Sequence, residues 1–189
     1  MAEIVLVRHG QTEWSVSGRH TGRTDIPLTA EGEEQARAIG EKLKGREFAA
    51  VLSSPRVRAL RTAELAGLEV TEVDEDLSEW DYGDYEGITT PEIRKTDPDW
   101  YLWDDGVPGG ESPEQIGARI DRVLARAREH LARDRDVALV AHGHALRVVG
   151  ARWIEEPVRV GGRLRLDTAT LCRLGFEHAR PVILEWNSR

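Results

Sequence analysis

Two histidines in this chain stand next to glycine at the ends of apolar runs, and arginines accompany them. Arg8-His9-Gly10 follows the run Ile4 to Val7, and His142-Gly143-His144 follows Val137 to Ala141. A third run, Ala49 to Leu52, ends in Ser53-Ser54-Pro55 and leads into Arg56, Val57 and Arg58. A neutral imidazole is a competent nucleophile near pH 7. Guanidinium planes and helix N-terminal amides are the groups that hold phosphate oxygens. Together these residue types describe a phosphate pocket with two imidazoles and no metal. A zinc reading of the His142-x-His144 pair finds no third ligand at zinc-type spacing. The single cysteine, Cys172, excludes an intrachain disulfide and a multi-cysteine metal site.

The elements that must position these groups follow from pattern. The three β-branched or apolar runs read as strands buried in a parallel sheet. In an open α/β sheet, ligands bind outside the carboxyl ends of the strands, so three strands deliver the motifs to one rim. Thr29 caps a helix with Glu31 in its first turn and Ala36, Ile39 and Leu43 on one face. Pro55 is placed to open the helix after the second strand. Ser112-Pro113-Glu114-Gln115 is a capping box, followed by the apolar stripe Ile116, Ile120, Val123, Leu124, Ala127 and Leu131. A short helix then runs through Val149, and residues 168–176 and 181–186 read as further strands. The alternation predicts a single α/β domain over residues 1–189, a three-layer α/β/α arrangement with a mostly parallel sheet. Residues 74–110, rich in acids, Trp, Tyr and Gly, read as a cap inserted over one edge.

Composition bounds the function classes. At 189 residues with 40% hydrophobic and 32% charged residues, the chain has the profile of a soluble globular domain. Folding at this size buries roughly 70% of the unfolded surface, enough for a core without disulfides. No apolar run is long enough to span a bilayer, and no basic n-region precedes a long apolar stretch, so the expected compartment is the cytoplasm. The net charge of −8 is uneven: Glu69 to Glu114 holds 16 acids against Arg94 and Lys95. An acidic total argues against nonspecific nucleic-acid binding.

Arg8-His9-Gly10-Gln11-Thr12-Glu13-Trp14 resembles the RHG motif of the histidine phosphatase (phosphoglycerate mutase-like) superfamily. The stretches 6–28, 53–62, 77–87 and 141–147 fit that family in order. The resemblance implies that His9 is the phosphorylated nucleophile and that Arg8, Arg58 and His142 bind phosphoryl oxygens. Glu79, in Leu77-Ser-Glu-Trp-Asp-Tyr-Gly83, matches the proton donor to the leaving oxygen. Gln11, Ser15, Thr21, Gly22, Tyr82 and Gly143 are implied as substrate- or phosphate-binding positions. No cofactor is implied; the partner is a small phosphorylated substrate, and a homodimer is left open.

Two chemistries follow a phosphohistidine: transfer to water or return to a second position on the substrate. The chain departs from the mutase pattern at Ser15, where mutases have Asn, and at Asp81, where they have His. Only 62 residues separate Glu79 from His142, leaving a compact cap. A mutase must exclude water, so a phosphatase is favoured over a mutase. The longer strings, including Glu79 to Gly87 and Ala141 to Arg147, resemble the branch containing sedoheptulose-1,7-bisphosphatases. A bisphosphate needs a second anion site, for which Arg19, His20, Arg23, Arg163 and Arg165 are candidates. A catalytically silent phospho-ligand binder would be expected to lack His9, Glu79 or an arginine, and all are present.

Overall fold

The ends of three parallel strands are aligned by their hydrogen-bonding register, and this alignment builds the site. In the computed structural model, which describes residues 2–131 and 135–189, β1 (Ile4–Arg8), β2 (Phe48–Ser53), β3 (Glu72–Val73) and β4 (Asp136–Ala141) run parallel. β5 (Leu171–Glu177) and β6 (Arg180–Ser188) add an antiparallel hairpin, giving the order β3-β2-β4-β1-β5-β6. Arg8 lies opposite Ala141, and Ser53 opposite Val140. The ladder continues one residue into each motif. His9 N–H donates to the Ala141 carbonyl at 3.1 Å, and Ser54 N–H to that of Val140 at 3.0 Å.

The helices are α1 (Glu13–Ser17), α2 (Ala30–Leu43), α3 (Val57–Leu65), α4 (Thr90–Ile93), α5 (Leu102–Asp105), α6 (Pro113–Leu131) and α7 (Gly143–Trp153). Period-two alternation divides the core into two layers. Val5 and Val7 pack with Ile39, Leu43, Ala59 and Ala63 of α2 and α3. Ile4 and Leu6 face Ile116, Ile120, Val123 and Leu146 of α6 and α7. The capping residues behave as their sequence implies: Thr29 Oγ1 accepts from Gly32 N–H, and Ser112 and Gln115 exchange side-chain and backbone bonds.

The helix after β2 begins later than Pro55 suggests. Arg56 is its cap and Val57 its first residue, because Asp25 Oδ1 accepts the free Val57 N–H at 2.8 Å. The cap segment is built into the α6 and α7 layer: Trp80, Trp100, Leu102 and Trp103 are all buried in that core. A Cβ on Gly10 would lie 2.3 Å from the Gly32 carbonyl oxygen, and one on Gly32 would lie 2.1 Å from that of Gln11. These two glycines let the first turn of α2 rest directly on the loop carrying His9.

Candidate active site

His9 follows β1 directly and is 5% exposed. Its Nδ1 lies 2.7 Å from the Gly10 carbonyl oxygen. A carbonyl only accepts, so Nδ1 carries the proton and Nε2 keeps its lone pair. Burial first, then the Arg58 and Arg8 charges, hold this imidazole well below its ordinary value, against the weaker pull of the Gly10 carbonyl. The ring is therefore neutral and its free nitrogen is the nucleophilic type.

The cations around it are fixed from several elements. Arg8 lies against Gly143, where a Cβ would stand 3.1 Å from its Cζ, so glycine here makes room for the guanidinium. One Arg8 nitrogen donates to the Leu166 carbonyl, while its buried Nε has no protein partner. A buried, unpartnered N–H is costly unless a ligand accepts from it. Arg58, fully buried on α3, donates to the carbonyls of Thr24 (2.9 Å), Thr21 and Gly22 (3.1 Å each), and its Nε lies 3.2 Å from His142 Nδ1. His142 caps α7, with its Nε2 2.7 Å from Ser54 Oγ. The His9 and His142 ring centroids are 5.1 Å apart.

Glu79 reaches the start of α7. Its Oε1 accepts from the N–H groups of Trp80 and Ala145 at 2.8 Å each, and its Oε2 from that of His144 at 3.0 Å. His144 and Ala145 belong to the first turn of α7, whose amides have no intrahelical acceptor, so the carboxylate completes the helix end. Arg119 of α6 donates to the carbonyl of Glu79 (3.0 Å) and to those of Asp76 and Ser78, and pairs with Glu111 at 2.6 Å. The Glu79 backbone is thus clamped from behind.

Arg119→Met should leave the largely buried Glu111 carboxylate without its cation, with the Asp81 N–H at 2.8 Å as its remaining donor. Breaking such a pair costs about 3–5 kcal/mol, equivalent to a fall in Tm of roughly 10 °C at this chain length. Adding Glu111→Gln should restore part of that loss in a thermal-unfolding comparison. An unchanged Tm in the single variant would show that the clamp carries no weight.

Buried Tyr82 and half-buried His144 form a second pair, with the hydroxyl 2.5 Å from Nδ1. Burial, then Glu79 and Glu86, push the phenol well above its ordinary value, so it stays protonated and donates. His144 is held neutral by burial and by Arg147. It meets the site through its backbone N–H, and its ring packs edge-on against Trp103.

Arg8, His9, Thr21, Tyr82 and Gly143 line one cleft of about 250 Å³, together with Arg19, His20 and Arg147. Gly22, Arg23, Glu79 and Asp81 border a neighbouring cleft of about 290 Å³. Gly22 N–H donates to Glu86, which ties this loop to the cap. Two of the sequence candidates are engaged elsewhere. Gln11 Oε1 accepts from Thr29 Oγ1, and Ser15 closes a capping box with Thr12 at the start of α1. Among the second-anion candidates, Arg19 and His20 lie in the first cleft, Arg23 is paired with Asp81, and Arg165 is exposed and paired with Asp167.

Ser54, Glu111, Arg119 and Arg147 are site-building residues that sequence reasoning did not single out. Arg119 had a signal. It borders the Ile116, Ile120 and Val123 stripe, where a charge must find a buried partner. Among the described residues no three His, Cys, Asp or Glu are grouped as metal ligands, and no helix is long and apolar enough to cross a membrane.

Comparison with known proteins agrees with this geometry. An "Acid phosphatase" from Mycobacterium tuberculosis is 49% identical, covering 93% of this chain and 87% of its own. A "Sedoheptulose 1,7-bisphosphatase" from Saccharomyces cerevisiae is 41% identical over 79% of this chain and 66% of its own. The solved structure of the open reading frame Rv3214 from Mycobacterium tuberculosis superposes with a TM-score of 0.96 at 46% identity, covering 99% of this chain and 97% of that one. The family model of the histidine phosphatase superfamily (branch 1) matches residues 4–189. With the RHG strand end, the second histidine and the clamped carboxylate on one rim, the chain belongs to the histidine phosphatase superfamily and is a phosphoric monoester hydrolase.

Proposed function

We propose that the chain hydrolyses a small phosphorylated metabolite, a sugar phosphate or bisphosphate, through a phosphohistidine on His9. The observation that carries this reading is the neutral His9, its Nε2 lone pair free, beside an Arg8 whose buried Nε lacks a protein acceptor. Nε2 attacks phosphorus, and the ester oxygen leaves with a proton from Glu79. Arg8, Arg58 and His142 hold the equatorial oxygens as charge spreads over them. Glu79 then takes a proton from water, which attacks the phosphohistidine, releases phosphate and restores the imidazole. Oε2, which accepts one backbone bond where Oε1 accepts two, has the lone pair free for that proton.

The small cleft suits a metabolite better than a folded phosphoprotein. The likeness to a sedoheptulose bisphosphatase supports a sugar bisphosphate, with Arg19, His20 or Arg147 available to the second phosphate. Asp81, ion-paired with Arg23, stands where mutases have histidine and weighs against a mutase.

The test is phosphate release from a panel containing sedoheptulose and fructose bisphosphates, sugar monophosphates and 3-phosphoglycerate, with chelator present throughout. One or a few sugar phosphates should be turned over, unaffected by the chelator. Equal turnover of phosphopeptides, or interconversion of 3- and 2-phosphoglycerate without net release, would overturn this reading.

A further inference from the structure

The peptide group joining Gly10 to Gln11 is bonded at both of its ends. Its carbonyl faces His9 Nδ1 at 2.7 Å, and its N–H, that of Gln11, donates to Gln35 Oε1 at 2.9 Å. Gln35 is half-buried on α2, one turn after Glu31. Both neighbours fix its amide orientation. Gln11 N–H can only donate, so the oxygen faces it, and the nitrogen lies 3.5 Å from a Glu31 carboxylate oxygen. A chain of hydrogen bonds therefore runs from the Gln35 oxygen through one peptide to the His9 ring. In such a chain each bond polarises the next, so an acceptor on the N–H makes the carbonyl a stronger acceptor.

The loop around this peptide has other anchors. Gly10 N–H donates to Thr62 Oγ1 of α3 at 3.1 Å, and the Gln11 carbonyl accepts from Thr29 N–H at 2.9 Å. Gln35 acts instead on the one peptide that meets the nucleophile.

Charge decides what that carbonyl contributes. As Nε2 bonds to phosphorus, the bond from phosphorus to the ester oxygen breaks and its electron pair leaves with that oxygen. The Nδ1 proton stays, so the neutral ring becomes a cationic phosphoimidazolium. Burial, Arg58 from α3 and Arg8 from β1 all oppose positive charge there, and the neutral His142 ring 5.1 Å away adds none. The Gly10 carbonyl favours it. When water breaks the N–P bond the ring is neutral again. A stronger acceptor at Nδ1 thus favours formation of the phosphoenzyme and not its breakdown.

We propose that Gln35 is a positioning residue for the nucleophile, fixing and polarising the Gly10 carbonyl that accepts the His9 Nδ1–H as the ring gains charge. The proposal rests on the reading above that His9 is phosphorylated.

The experiment is rapid-quench measurement of phosphoenzyme formation and decay with radiolabelled p-nitrophenyl phosphate, in wild type, Gln35→Leu and Gln35→Glu. Proton NMR of the His9 Nδ1–H accompanies it. Gln35→Leu should form the phosphoenzyme roughly five- to tenfold more slowly, the scale of one hydrogen bond. Its phosphoenzyme should decay no more slowly than that of the wild type, and the Nδ1–H resonance should move upfield as its acceptor weakens. Gln35→Glu keeps an oxygen for the Gln11 N–H and should restore both the formation rate and the resonance. Formation at the wild-type rate in Gln35→Leu would overturn the role of Gln35, and so would a failure of Gln35→Glu to recover it. Equal slowing of formation and decay would show a loss of packing alone and overturn it too. Absence of any phosphoenzyme in the wild type would instead overturn the nucleophilic reading of His9, and the proposal with it.

Discussion

Replacing His9 with alanine should lower phosphate release by roughly four to six orders of magnitude, the scale of losing a catalytic nucleophile. Binding of inorganic phosphate or orthovanadate should survive, since Arg8, Arg58 and His142 come from other positions. Rapid acid-free quenching with labelled substrate should trap a phosphoenzyme in the wild type and none in His9→Ala. Turnover within tenfold of wild type would mean that water attacks directly and that His9 only orients the ester.

The pH dependence follows from the same ring. Burial and the two arginines hold His9 well below the ordinary imidazole value, so it stays neutral as the pH falls through about 6.5. The acidic limb of kcat/KM should therefore lie below that value, at the pH where His9 is finally protonated. Stability should move in a related way. His9, His142 and His144 are all lowered in the folded chain, so below about 6.5 the unfolded chain binds more protons. Stability is then complete above the unfolded value and declines as the pH falls beneath it.

Much of this site was legible because parallel-sheet geometry turns sequence into position. A strand that ends in Arg8-His9-Gly10 and another that ends before His142-Gly143 must present both histidines on one rim. Local chemistry was legible for the same reason: Thr29 and Ser112 cap helices through bonds within four residues. What stayed hidden depends on contacts distant in sequence. Asp25 delays the start of α3 from 32 residues away, and nothing near Pro55 announces it. The hairpin between β5 and β6 turns through His178 and Ala179 at φ of 48° and 62°, without the glycine that would mark it. Gln11 and Ser15 sit inside the motif, yet their side chains bond to Thr29 and Thr12, since motif membership fixes backbone position more firmly than side-chain partner. The engagement of His142 was likewise hidden, since the Arg58 guanidinium and the Ser54 hydroxyl against its two ring nitrogens lie 84 and 88 residues away in sequence.

Glu79→Gln should separate the two proton transfers that the mechanism assigns to one carboxyl. On an alkyl phosphate the ester oxygen leaves as a poor alkoxide, and losing the general acid should cost roughly 10²–10⁴ in kcat. On p-nitrophenyl phosphate the phenolate leaves without a proton, so the first step should be nearly as fast as in the wild type. The second step still needs a base for water, and the variant has none. Nitrophenolate should consequently appear in a burst matching the enzyme concentration, followed by slow turnover, while the alkyl substrate shows no burst. Glutamine keeps the Oε1 bonds to Trp80 and Ala145 but sets an NH₂ against the His144 N–H, 3.0 Å from Oε2 in the native chain. That clash of donors should lower stability by about 1–3 kcal/mol, so unfolding must be checked at the assay temperature. Equal losses on both substrates with no burst would place the proton donor elsewhere. Asp81 is the nearest rival in sequence, but it is bound to Arg23 and to the Gly83 N–H, and its replacement by Asn should leave the leaving-group dependence intact.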